Sequence, residues 1–384
     1  MYNIKKIAYW SPSLVDIATN KAVMNSAYSL LKYNNKFEPF IMNFFGEFNR
    51  FESNIYEKKI KLINYYSKNF LTFLPKYGRV KSRISFILIF LFSFLPLKSF
   101  LKKNNPDFLI IHLITSLPLF LLILFDFKTK FILRISGMPK LGIFRKFLWK
   151  IALRKIYKVT CPTINTLNYI KSLNIVDSEK LILLYDPVLE LKKIKKFNID
   201  SKELFKVPMF QYCLAAGRLT AQKNFLFLCE SFSKIITKYP DFKLIIAGEG
   251  EDKNKILSLI KKKNLENNII LVGHVYNIYH YMRNAKFFIL SSLWEDPGFV
   301  LLEAAISRTL VVSSDCDSGP KELIKDNLNG LIYSSNSSVS LVQKLEYAIL
   351  IKNEEKRKMI LNNLRQSKKF TLFYHYRELT KILF

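Results

Sequence analysis

Lys243-Leu-Ile-Ile-Ala-Gly-Glu-Gly250, the amphipathic run Asp252–Lys263, and then Ile269-Ile-Leu-Val-Gly273 form the stretch whose reading decides the fold. Two short apolar runs, each ending on glycine, flank one segment of helical periodicity. A strand buried on both faces reads as such a run, and two of them around a helix make a βαβ unit. The same alternation continues on both sides. Strand Tyr212–Ala216 leads through Gly217-Arg218 to a helix over Asn224–Lys238. A short helix near Ile278–Asn284 precedes strand Phe287–Leu290, Ser291–Pro297 connects to helix Phe299–Ser307, and strand Leu310–Ser313 leads to helix Pro320–Lys325. Leu331–Tyr333 follows an Asn329-Gly330 turn. Strict alternation implies an α/β fold with a doubly wound parallel sheet, whose ligands bind where strands end.

Upstream the pattern is looser. Strand Lys5–Tyr9, a loop through Ser11–Asp16, a helix near Asn20–Tyr33 and strand Phe40–Phe44 open the chain, and Glu47–Gly78 takes no assignment. Ile84–Leu97 reads as one helix of fourteen residues, short for a membrane span of ~20. Phe108–Phe125 reads as a buried strand Phe108–Ile111, a turn near Thr115–Pro118 and a buried helix Leu119–Phe125. The competing reading makes 84–97 and 108–125 the spans of an integral membrane protein. Strand Lys130–Ile135, a basic helix Ile143–Tyr157 and strand Val159–Cys161 complete this half.

At ~100–200 residues per domain, 384 residues predict two domains. A chain that is 50% hydrophobic and 15% aromatic excludes intrinsic disorder. The formal net charge is +30, of which +19 precedes Pro187. That excess asks for a negatively charged partner, whether membrane, nucleic acid or phosphorylated substrate. Part of it is background, because Lys, Asn, Ile, Phe and Tyr are enriched throughout, as in an AT-rich genome. Cys161, Cys213, Cys229 and Cys316 are widely spaced, which reads as reduced thiols in a cytosolic protein. Met1–Val23 is broken by Ser11, Pro12 and Asp16 and does not read as a signal peptide.

The loops after strands carry the chemistry. Arg218 leaves a strand and Lys223 stands where the next helix begins, two cations suited to a diphosphate. Read without function, they are solvated basic residues in a lysine-rich chain. Glu295-Asp-Pro-Gly-Phe-Val-Leu-Leu-Glu303 sets two carboxylates eight residues apart, one in a loop and one in a helix. Gly298 permits close approach of a ligand, and the helix-start N–H groups can cradle phosphate oxygens. Glu303 lies in an apolar run and needs hydrogen-bond donors such as sugar hydroxyls. The plainer alternative is a helix-dipole acid plus a satisfied core glutamate. Asp317-Ser318-Gly319-Pro320 reads as a capped helix start, which accounts for the formal DxD of Asp315-Cys316-Asp317. Gly248-Glu249-Gly250 is a weak dinucleotide signal, and His112 taken alone is a core histidine.

In order and spacing, Gly217-Arg218 with Lys223, the pair Glu295/Glu303, Ser318-Gly319-Pro320 and Asn329-Gly330-Leu331 resemble the group 1 retaining glycosyltransferases, family 4 of the GT-B class. The resemblance runs through Leu214–Tyr333. It implies two Rossmann-like parallel-sheet domains facing across a cleft: 1–187 binding the acceptor, 188–365 binding a nucleotide-sugar, and 366–384 as a helix crossing back to the first. By the same resemblance Gly217, Arg218 and Lys223 would meet the donor diphosphate. Glu303 would hold the ribose, and Glu295 with the amides near Gly298, Phe299 and Val300 would hold sugar and phosphate. Pro106-Asp107 and His112 resemble the strand whose histidine faces the transferred sugar, which makes His112 catalytic together with Glu295, Arg218 and Lys223. The loop Ser13–Asn20 lacks the family's glycines, and Ile110 stands where many members carry a histidine. The resemblance further implies a UDP-sugar donor, a saccharide or lipid-linked saccharide acceptor in cell-surface polysaccharide synthesis, and no cofactor or metal. The basic first half and the flanks of Ile84–Leu97 place the protein in the cytoplasm, peripheral on an anionic inner membrane face. The alternative, a nucleic-acid-binding protein, rests on charge that is spread rather than clustered, so no nucleic-acid partner is expected.

Overall fold

Apolar β-runs separated by helices pair in parallel through crossovers, and the computed structural model shows where each goes. It describes residues 4–14, 18–66, 74, 79–139, 141–190, 208–295, 298–317 and 319–384. The chain divides into two units, Met1–Val188 with Leu372–Phe384, and Leu189–Thr371. In the first, strands β1 (Lys5–Trp10), β2 (Phe37–Asn43), β3 (Lys61–Asn64), β4 (Phe108–Ile111), β5 (Lys130–Arg134), β6 (Lys158–Cys161) and β7 (Leu181–Leu183) form a parallel sheet in the order 3-2-1-4-5-6-7. In the second, β8 (Tyr212–Ala216), β9 (Lys243–Ala247), β10 (Ile269–Gly273), β11 (Phe288–Leu290), β12 (Val311–Ser314) and β13 (Leu331–Tyr333) run in the order 10-9-8-11-12-13. Both are doubly wound sheets. Their switch points lie between β1 and β4 and between β8 and β11.

The central strands β4, β8 and β11 are buried throughout, as strands covered by helices on both faces must be. This overturns 108–125 as a membrane span: Phe108–Ile111 is paired with β1 on one side and β5 on the other, and the helix that follows is Ser116–Leu124. The helix expected over Ile84–Leu97 is longer, Arg79–Asn104, and runs through Pro96. It is the one helix among the described residues long and apolar enough to cross a membrane by length and composition. Ser85, Ile89, Ser93, Leu97 and Leu101 bury one face of it, while Ile84, Ile87, Leu91 and Leu95 stand exposed on the other. Glu47–Gly78, unassigned from sequence, holds the helix Glu52–Glu57 and β3, and residues 67–73 and 75–78 lie outside the described residues. All four cysteines are buried, and none is in a disulfide.

Helix Asn353–Ser367 belongs to the second unit, and the last helix, Leu372–Leu383, belongs to the first. His375 anchors that last helix. Its Nδ1 lies 2.7 Å from the Tyr185 carbonyl oxygen and its Nε2 lies 2.8 Å from Ser26 Oγ, which reaches the Tyr9 hydroxyl at 2.9 Å. Beside it the buried Arg134 guanidinium pairs with Asp186 at 2.6 Å. Burial holds the His375 pKa down at about 4, against the upward pull of the Tyr185 carbonyl and Asp186.

Between the ordinary pKa of about 6.5 and the folded one, only the unfolded chain binds that proton. The stability due to neutral His375 is therefore full above pH ~6.5 and is lost as pH falls toward ~4. Glu47 works in the opposite direction, since burial pushes its pKa up to about 7. Comparing wild type with His375→Gln isolates the histidine. Urea unfolding should show the variant's deficit shrinking by about 2 kcal/mol from pH 7 to pH 5. A deficit that is the same at both pH values would mean that His375 titrates as it does in water.

Candidate functional site

The switch point of the second sheet brings together the loops that follow β8 and β11. Three loop segments interlock there through glycines. A Cβ on Gly248 would lie 1.9 Å from the Gly217 carbonyl oxygen, and one on Gly250 would lie 2.3 Å from that of Leu219. Backbone bonds hold the approach: Gly217 N–H donates to Ala247 at 3.0 Å and Leu219 N–H to Glu249 at 3.0 Å. The Gly248-Glu249-Gly250 pattern is thus explained by loop packing. Gly217 itself lets the Lys223 stem pass, with Cε 3.0 Å from where a Cβ would stand.

That stem carries the Lys223 ammonium to Glu295, and the two form an ion pair. Ser292 Oγ donates to the same carboxylate oxygen at 2.5 Å, and Ser314 Oγ donates to the Ser292 carbonyl at 2.7 Å. Ser291 Oγ donates to the Lys223 carbonyl at 2.7 Å, which closes the link between the two loops. The Lys223 and Glu295 side chains are only 14% and 8% exposed. In the sequence Lys223 and Glu295 stand apart as two loop charges, and the structure buries them as one pair. Arg218 is exposed and has no carboxylate partner among the described residues. Cys316 lies near the pair, and burial with Glu295 nearby pushes its thiol up to about 11, so it stays protonated.

Gly298 caps the helix Phe299–Ile306 at φ +84°, a left-handed conformation that favours glycine. Among the described residues, the Phe299 and Val300 N–H groups meet no acceptor. They are the free donors of a helix start. Glu303 is half-buried on this helix, whose Leu301, Leu302, Ala304 and Ala305 face the core. Burial, with the nearby carboxylates of Glu303 and Glu190, drives the Tyr279 phenol pKa well up. Tyr279 therefore stays protonated and keeps its hydroxyl hydrogen, a feature with no signature in the sequence. Ser292, just after β11, and Ser314, the last residue of β12, carry no such signal in the sequence. Asp296, Pro297 and Ser318 lie outside the described residues. Asp315 accepts from the Ser335 N–H at 2.7 Å and Asp317 pairs with Lys321, so the formal DxD has structural partners. Among the described residues no cluster of three His, Cys, Asp or Glu could hold a metal.

His112 belongs to the first unit, at the end of β4 beside that sheet's switch point. It is 5% exposed, and burial, then Arg134 and His375, lower its pKa well below the usual value. The imidazole is neutral.

Residues 196–367 match the family model of Glycosyl transferases group 1, and the chain carries a domain of that family. An uncharacterised glycosyltransferase of Methanocaldococcus jannaschii is 31% identical over 249 residues, 60% of either chain. The N-acetylgalactosamine-N,N'-diacetylbacillosaminyl-diphospho-undecaprenol 4-alpha-N-acetylgalactosaminyltransferase of Campylobacter jejuni is 33% identical over 169 residues, 44% of this chain and 45% of that one. The similarity thus spans 60% and 45% of these relatives' own lengths. Among solved structures, Anabaena HepE in complex with UDP and glucose superposes with a TM-score of 0.70 at 14% identity, covering 99% of each chain. The fold is that of the GT-B glycosyltransferases. These similarities do not favour the nucleic-acid or two-span readings.

Removing one partner of a buried ion pair strands the other, at a cost of about 3 kcal/mol or more. Lys223→Ala should therefore lower the melting temperature by roughly 6–10 °C. Arg218→Ala, at an exposed position, should change stability by no more than about 0.5 kcal/mol. Adding Glu295→Gln to Lys223→Ala should recover part of the loss, because the stranded charge is gone. A Lys223→Ala chain that melts with the wild type would show that the pair contributes nothing to the fold.

Proposed function

We propose that this chain is a retaining, family 4 glycosyltransferase that moves a sugar from a UDP-sugar to a saccharide or lipid-linked saccharide acceptor in cell-surface polysaccharide synthesis. One observation carries the reading. Within a group 1 domain, an exposed arginine, a lysine–glutamate pair and two free helix-start amides converge at the switch point of a parallel sheet, where such sheets bind ligands. UDP is favoured because the superposed Anabaena structure holds it. A lipid-linked acceptor is favoured because the Campylobacter relative is named for a diphospho-undecaprenol-linked one.

The chemistry follows from charge. As the glycosidic bond to the nucleotide breaks, negative charge grows on the leaving diphosphate. Lys223, held by Glu295, and the Phe299 and Val300 amides are fixed donors for that charge and need no reorganisation at the moment of reaction, and the exposed Arg218 adds a second cation. Glu295 holds Lys223 in place, and Glu303 accepts from the ribose hydroxyls. The acceptor proton passes to the departing diphosphate on the same face of the sugar, which retains the configuration. These donors neutralise the diphosphate without a metal.

The two glutamates should separate in kinetics. Glu303→Gln removes an interaction made equally in ground and transition states, so calorimetry should show weaker UDP binding and a higher donor KM. Glu295→Gln should keep UDP binding and lower kcat, because it loosens the lysine that meets developing charge. The assigned roles are reversed if Glu295→Gln abolishes UDP binding while Glu303→Gln leaves it untouched.

We also propose that the protein works in the cytoplasm, peripheral on an anionic membrane face. The helix Arg79–Asn104 supports this: Leu91 and Leu95 are 62% and 69% exposed on its outer face, with Arg83, Lys98, Lys102 and Lys103 at its ends. The side chains of Arg79 and Lys81 lie outside the described residues. Each cation near an anionic surface contributes about 1 kcal/mol. Flotation with phosphatidylglycerol vesicles should therefore capture the protein at low salt, and Leu91→Ser with Leu95→Ser should release it. Equal capture by neutral phosphatidylcholine vesicles at any salt would sink the idea.

A further inference from the structure

The Glu295 carboxylate is loaded unevenly. Both of its donors, the Lys223 ammonium and the Ser292 hydroxyl at 2.5 Å, fall on Oε1, and among the described residues Oε2 takes none. The last torsion of a glutamate is broad and nearly two-fold, so a carboxylate held by a single lysine turns and exchanges its oxygens. A second donor that reaches the same oxygen from another direction stops that rotation. A hydroxyl-to-carboxylate bond is also charge-assisted, roughly twice as strong as a neutral one.

Ser292 can act in this way because it is itself fixed. It is fully buried, and its carbonyl accepts from Ser314 Oγ at 2.7 Å. Ser314 is the last residue of β12, and from β13 the Tyr333 hydroxyl donates to the Leu290 carbonyl at 3.3 Å. Hydroxyls from β12 and β13 thus pin the end of β11, where the loop to Glu295 begins. The neighbouring Ser291 holds the other end of the same lysine, its Oγ donating to the Lys223 carbonyl at 2.7 Å. One serine takes the lysine's backbone and the next takes its counter-ion.

A buried serine with only a packing role has a simpler bond to make. Ser29 and Ser367, both buried in helices, donate to the carbonyl three residues back. Ser292 instead places its hydroxyl on a charged side chain that is 8% exposed and paired with the lysine of the site.

We propose that Ser292 is a positioning residue for the transfer. It locks the Glu295 carboxylate, and through that carboxylate it keeps the Lys223 ammonium where charge grows on the leaving diphosphate. The role rests on the transferase reading above and adds to it the group that fixes the ion pair. Positioning of this kind acts on the barrier, since a displacement of about 1 Å costs on the order of a hundredfold in rate. Ground-state binding is shared with Arg218, Glu303 and the Phe299 and Val300 amides, and changes little.

The measurement is release of UDP by the full chain from UDP-glucose, UDP-galactose and their N-acetylamino counterparts, with water as acceptor, alongside calorimetry with UDP. On the donor that the wild type turns over fastest, Ser292→Ala should lower kcat by about tenfold or more, with donor KM and UDP affinity within about twofold of wild type. Intact UDP affinity also reports that the second unit folds. In a Glu295→Gln background the same substitution should lower kcat by less than about twofold further, because the charged pair it acts on is gone. Ser314→Ala, one bond further from the carboxylate, should lose about three- to fivefold in kcat at unchanged KM, and it carries the test if Ser292→Ala does not bind UDP. A kcat within about twofold of wild type, in the variant that binds UDP, overturns the proposal. So do losses that multiply in the double variant, which make Ser292 a packing residue independent of Glu295. A wild-type chain that binds UDP and releases it from none of these donors overturns the transferase reading instead, and this role falls with it.

Discussion

A parallel strand cannot be followed by a tight hairpin, so the chain must leave each strand's carboxyl end, cross over a face and return. Where successive crossovers turn in opposite directions, two adjacent loops diverge and open a crevice. Both sheets obey this constraint, at β1/β4 and at β8/β11. In the second unit it brings Gly217–Lys223 beside Ser291–Glu295, which lie some seventy residues apart in sequence. The glycines that let these loops interlock, the serines that bond across them and the lysine–glutamate pair between them all follow from that adjacency.

This explains what the sequence disclosed and what it hid. Strands Tyr212–Ala216, Lys243–Ala247 and Leu331–Tyr333 and helix Ile278–Asn284 could be delimited to the residue, because fully buried strands are short apolar runs with glycine or polar punctuation. The ion pair between Lys223 and Glu295, separated by 72 residues, could not be read. Each residue alone carries the pattern of a loop charge, and only the tertiary adjacency of β8 and β11 buries both. Ser292 and Ser314 escaped for the same reason: a serine at a strand's carboxyl end has no signature until its partner is known. Glu47–Gly78 resisted assignment because β3 is an edge strand, half-exposed on its inner positions, and lacks the apolar density of the central strands.

The Lys223–Glu295 pair also changes how the site must be understood. A free lysine at a phosphate site is a flexible point charge that loses rotamer entropy when its ligand arrives. Here Glu295 and the stem's passage over Gly217 have already fixed it. The carboxylate partly neutralises it in the resting site, which weakens ground-state attraction for a diphosphate. As the leaving group gathers charge, that attraction grows relative to the fixed one from Glu295. A pair of this kind favours the transition state over the bound substrate, which is the direction catalysis requires.

The two units solve different electrostatic problems with the same topology. At its switch point the second unit holds an arginine, a lysine already balanced by an acid, and helix-start amides, a set matched to a dense and invariant charge. The first unit buries its polar groups more deeply. Arg134 is consumed by Asp186, His375 is kept neutral to anchor the last helix, and His112 is kept neutral with its ring nitrogens unspent. A neutral imidazole both donates and accepts, and so suits a hydroxyl better than an anion. Of the cations lining the cavity at this sheet's carboxyl edge, only Arg145 retains its charge without an acidic partner among the described residues, and it stands beside Phe86 of the apolar helix. The first sheet's carboxyl edge is therefore graded, from a neutral hydrogen-bonding floor at His112 to a cationic rim at Arg145 and then an apolar face.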